Sequence, residues 1–60
     1  MKTPEEIQAK AQAIWDSMND NERFGVKLAL FPAAKMEGMK SEGFSNDDQH
    51  KVVVALMKMK

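Results

Sequence analysis

Apolar residues recur along this chain every three or four positions in four separate stretches, and polar or turn-forming residues divide them. In the first stretch Ile7, Ala11, Ile14, Trp15 and Met18 form one stripe, while Gln8, Lys10, Gln12, Asp16 and Ser17 fall elsewhere on the wheel. That is the pattern of a helix with a single buried face. Thr3 is placed to cap it, Pro4 suits its first position, and Glu6, three residues after Thr3, completes a capping box. Glu5 and Glu6 also favour the positive end of the helix dipole. The spacing predicts a helix over about 3–18, ended by Asn19, Asp20 and Asn21.

The next stretch, RFGVKLALFPAAKM, is dominated by apolar residues and carries a Phe-Pro break near its middle. Asn19 or Asp20 can cap a second helix over about 20–30 with Glu22 in its first turn. On that wheel Phe24, Leu28 and Phe31 share one side, Val26 and Leu30 lie nearly opposite, and Arg23 and Lys27 are the clearly polar positions. A helix apolar on two faces is expected to be a buried central element. A strand here would find no partner strand in the rest of the pattern, and its backbone would go unsatisfied. The expectation is therefore that Phe24, Leu28 and Phe31 join Ile14 and Trp15 in the core, and that Val26 and Leu30 point away from it.

Phe31-Pro32 breaks the run, because the residue before proline is driven out of helical geometry while proline itself can open a new helix. The third helix is expected over about 32–42 with Ala33, Met36 and Met39 inward and Gly38 as a weak point. Gly43 stands where a left-handed residue would end it, which folds Phe44 back onto Met39. The fourth, over about 45–59, opens with a second capping box, Ser45 and Asp48, with Asp47 beside it. Val52, Val53, Leu56, Met57 and Met59 give it a wide apolar face, with Lys51 and Lys58 opposite. The pattern as a whole predicts an all-α fold, a compact bundle of four short helices, in a single small helical domain over 1–60.

Composition narrows what such a domain can do. At 60 residues the chain can bury only about 60% of its unfolded surface, so its stability is marginal without a staple. It has no cysteine and one histidine, which removes disulfides, thiolate zinc sites and histidine-rich metal sites. Oligomerisation or good helix packing is left to supply the difference. Nine cations balance nine anions, and Arg23 is the single arginine, so neither a net field nor bidentate phosphate recognition points to nucleic acid. The opening MKTPEEIQAK lacks the apolar core of a signal peptide, and no stretch is long enough to span a membrane, so the expectation is a cytoplasmic protein without a membrane partner.

Candidate chemistry is sparse. Asp47 and His50 share a helical face, but two side chains beside a helix cap read as surface residues before they read as a metal site. Ser17, Ser41 and Ser45 sit at helix ends, where serine caps, with no evident base. Four short helices can hardly frame a cleft with a supporting shell, so no catalysis, cofactor or small-molecule substrate is expected. A helix-turn-helix reading would present Asn46, Asp47 and Asp48 to phosphate, and the two acids repel it. Six methionines suit an irregular small core first and an adaptable contact surface second.

The sequence thus points to a small non-catalytic interaction or regulatory protein, of the kind seen among bacterial and phage accessory proteins, that binds a protein partner or its own copy. The expected contact residues are Val26 and Leu30, extended by Val54, Met57 and Met59. The alternative is a small nucleic-acid-binding regulator using Lys35, Lys40, Lys51, Lys58 and Lys60, which a steep salt dependence of binding would reveal.

Overall fold

In the computed structural model, which describes residues 1–59, the chain forms α1 (Pro4–Ser17), α2 (Asp20–Lys27), α3 (Ala33–Ser41) and α4 (Asn46–Met57). No strand occurs among the described residues. Three of the helices start on complete capping boxes: Thr3 with Glu6, Asn19 with Glu22, and Ser45 with Asp48. In each, the cap side chain accepts the backbone N–H of the third helical residue, whose own side chain accepts the backbone N–H of the cap. Pro32 precedes α3 as its N-cap, with its carbonyl accepting the N–H groups of Lys35 and Met36.

α1 lies along α4, and α2 reaches α4 with its inward side. Ile7, Ala11, Ile14 and Met18 face Val52 and Leu56 across a core completed by Val26, Met39 and Phe44. Trp15, Phe31, Met36, Ala55 and Met59 are half-buried around it. The radius of gyration is 10.6 Å, close to the roughly 10.4 Å that chain length alone leads one to expect. Compactness is therefore achieved with few large side chains, and methionines fill much of the interior.

α3 ends as its glycine requires. Gly43 has φ +90°, the Phe44 N–H donates to the Met39 carbonyl at 3.0 Å, and the Gly43 N–H donates to the Lys40 carbonyl at 3.1 Å. This is a Schellman motif, and it buries Phe44 in the core with Met39. Polar ties hold the short α3 at both ends. Lys35 donates to the Ser17 carbonyl and to Glu22, and Lys10 reaches Glu42 at 2.7 Å. The Lys2 ammonium lies 4.9 Å from the centre of the Phe44 ring.

α2 departs from its expected length and from its expected orientation. It stops at Lys27 instead of running to Leu30, because Ala29 adopts φ +61°. The Leu30 N–H then donates to the Gly25 carbonyl at 2.8 Å and the Ala29 N–H to the Val26 carbonyl at 3.0 Å. The same Schellman geometry that glycine supports at position 43 is here imposed on an alanine. With the helix cut short, Phe31 no longer shares a stripe with Phe24 and Leu28. The inward residue of α2 is Val26, at 1% exposure, and the expected core pair Phe24 and Leu28 faces outward. Ala33, expected inside, is also exposed.

Asp48 is the one buried polar residue among the described residues. One carboxylate oxygen accepts the backbone N–H of Lys2 at 3.2 Å and that of Ser45 at 3.3 Å, tying the segment before α1 to the start of α4. Burial pushes this carboxyl up, but the hydrogen bonds from Lys2 and Ser45 outweigh it and hold the group below the ordinary aspartate value.

Candidate functional site

The outward side of α2 carries Phe24 and, at its C-cap, Leu28, two of the large apolar side chains that the fold leaves exposed. At 100° per residue, Asp20, Phe24, Lys27 and Leu28 fall together on the side opposite Val26. Phe24 is 64% and Leu28 59% exposed, and Leu30, turned back along the Gly25 edge by the end of the helix, is 65% exposed. A Cβ built at Gly25 would stand 3.3 Å from the Leu30 carbonyl oxygen, so the bare glycine lets this turn close.

Beside Phe24 lies a shallow hollow of about 380 Å³, lined by Trp15, Asp20, Arg23, Phe24 and Lys27. Arg23 shapes its floor. The Arg23 Nε donates to the Trp15 carbonyl at 3.1 Å, and the guanidinium carbon sits 5.5 Å from the centre of the indole ring. A looser contact of 3.8 Å joins Arg23 to the fully exposed Asp20 carboxylate. Trp15 is therefore held as a half-buried wall shared between core and surface, not as the interior anchor that its place in the α1 stripe suggested. Lys27 has no partner among the ion pairs of the described residues, and its charge is available at the C-terminal end of the stripe.

The five residues expected to make the contact do not form one surface. Val26 is inside, a correction whose reason is tertiary: α2 packs toward α4 and the core with its Val26 side. Leu30 is exposed along the Gly25 edge, where it lines a hollow with Asn21, Glu22, Gly25, Phe31 and Pro32. Val54 and Met59 are half-buried and share a hollow with Gln8, Lys51, Ala55 and Lys58, none of them on α2. Met57 is 50% exposed on α4. Phe24 and Leu28 were the missed surface residues, and the sequence held no signal to find them: Asp20 and Lys27 border their side of the wheel, but Glu22 and Arg23 border that of Val26 equally.

The lysines considered for nucleic acid are dispersed. Lys35 is engaged by Glu22 and the Ser17 carbonyl, and its hydrogen bond, with that of the Asn19 N–H, holds the Glu22 carboxyl below its ordinary value. Lys51 and Lys58 flank the Val54 hollow, and Lys40 stands with Glu37 on α3. Lys60 lies outside the described residues. Asp47 and His50 are both exposed, and no group of three or more metal-ligating side chains comes together among the described residues. No described helix is long and apolar enough to cross a membrane. No family model, curated protein or solved structure matches this chain.

Proposed function

We propose that this chain is a small non-catalytic interaction protein that works in the cytoplasm by docking the outward face of α2 onto another protein surface. The observation that carries the reading is the concentration of exposed apolar area at Phe24, Leu28 and Leu30, next to a hollow walled by Trp15. Scattered exposed leucines mean little, but Phe24 and Leu28, one turn apart on α2 with a charged border and Leu30 exposed at the end of the helix, have the usual anatomy of a contact site. Aromatic residues and arginine, the types that dominate binding energy at interfaces, are gathered at the same place.

A photo-crosslinking side chain substituted at Leu28 tests the proposal in cells, with the exposed position Ala34 on α3 as the control. Covalent protein adducts from position 28 and not from position 34 are the expected result. No adduct at 28, or equal adducts at both positions, would overturn it.

A further inference from the structure

We propose that the occupant of the α2 face is a second copy of this chain, docked about a twofold axis with the two α2 helices antiparallel. The inference rests on the contact-site reading above and adds the identity of the partner. Its basis is the order of chemistry along the stripe: acid at Asp20, aromatic at Phe24, base at Lys27, with Leu28 beside it. An antiparallel helix running past its own copy reverses that order. Asp20 of each copy then meets Lys27 of the other, and the two Phe24 side chains meet at the axis.

A twofold contact requires a surface complementary to itself, and this stripe has that property in charge and in shape. The knob is Phe24, and the hollow beside it presents Trp15, so each ring can enter the depression of the other copy. Fully exposed Asp20, only loosely held by Arg23 at 3.8 Å, and exposed Lys27 both line the hollow with charges of opposite sign. The formal net charge of the chain is zero, so two copies meet without long-range repulsion. A parallel pairing would set Asp20 against Asp20 and Lys27 against Lys27, which like-charge repulsion disfavours.

The face is small. At about 1.5 Å per residue, the eight residues of α2 offer a helix contact only ~12 Å long. An interface at the lower limit, about 500 Å² per copy, takes roughly one-eighth of the 4109 Å² surface of the chain. The dimer is accordingly a small and reversible one, populated by raising concentration.

Light scattering and sedimentation of the purified full chain across concentration test the proposal, with charge exchange as the decisive arm. The parent is expected to pass from single to double mass as concentration rises, and Phe24→Gln to raise the dissociation constant at least about tenfold. Asp20→Lys alone and Lys27→Asp alone should each weaken the dimer, because each sets like charges against each other twice. An equimolar mixture of these two single variants should recover association as a heterodimer. In it the lysine introduced into one copy faces the aspartate introduced into the other, and the untouched Lys27 and Asp20 face each other as before. Melting curves of each variant, recorded alongside, separate loss of association from loss of fold. A parent that stays monomeric throughout overturns the self-pairing, as does a mixture no tighter than the separate variants. If Leu28 still crosslinks to a different protein in cells, the contact site survives and only its occupant is wrong.

Discussion

Replacing Ala29 with glycine sets two descriptions of α2 against each other by the sign of one measurement. Were the helix to continue through Leu30, as its apolar spacing suggests, glycine at position 29 would lie in a helix interior and cost about 1 kcal/mol. In the structure Ala29 has φ +61° and closes the turn that sends the Leu30 N–H to the Gly25 carbonyl. A side chain in that left-handed conformation costs about 1–2 kcal/mol, and glycine removes this cost. The greater freedom of glycine in the unfolded chain returns about 0.4–1 kcal/mol. The expected net effect is a stabilisation of about 0.5–1 kcal/mol, or roughly 2–8 °C in Tm for a chain of this size. Thermal unfolding followed by far-ultraviolet circular dichroism reads it, at a concentration low enough to keep the protein monomeric. A Tm lower than the parent's by several degrees would refute the turn, and with it the placement of Leu30 against Gly25.

Two further perturbations separate the faces of the bundle and the charges that fasten it. Val26→Ala removes buried methyl groups and should cost about 2 kcal/mol, whereas Leu28→Ser, at an exposed position, should change monomer stability by no more than about 0.5 kcal/mol; equal losses in urea titrations would reject the orientation of α2. Glu6, Glu22 and Asp48 are all held below their ordinary carboxyl values, by Thr3, by Lys35 with Asn19, and by Lys2 with Ser45 against the cost of burial. A depressed carboxyl stabilises the fold above its unfolded value near pH 4 and loses that contribution as pH falls through the lower folded value. Unfolding midpoints should therefore be flat above about pH 5 and decline below about pH 4, with a shallower decline in Asp48→Asn. A midpoint that rises on acidification would contradict the assignment.

The sequence by itself determined the helical class and the helix starts. Capping boxes need only residues three apart, and the stripe of α1 needs only its own spacing, so both are local and legible. The corner at Phe31-Pro32 and the glycine turn that buries Phe44 are local for the same reason. The end of α2 was not legible, because the residue that breaks it is alanine, a strong helix former with no reason of its own to adopt a positive φ. That choice is made by the fold: ending the helix there sets Val26 against α4 and sends the chain back along Gly25 toward α3. The shorter helix packs its Val26 side into the core, and Phe24 and Leu28 become surface. The burial of Asp48 was hidden likewise, since its role as a cap partner of Ser45 is written within four residues, but its bond to Lys2 spans nearly the whole chain. Local pattern therefore specified which segments are helices, while only packing decided which face of α2 meets solvent, because helix propensity acts between near neighbours and burial is settled among all of them at once.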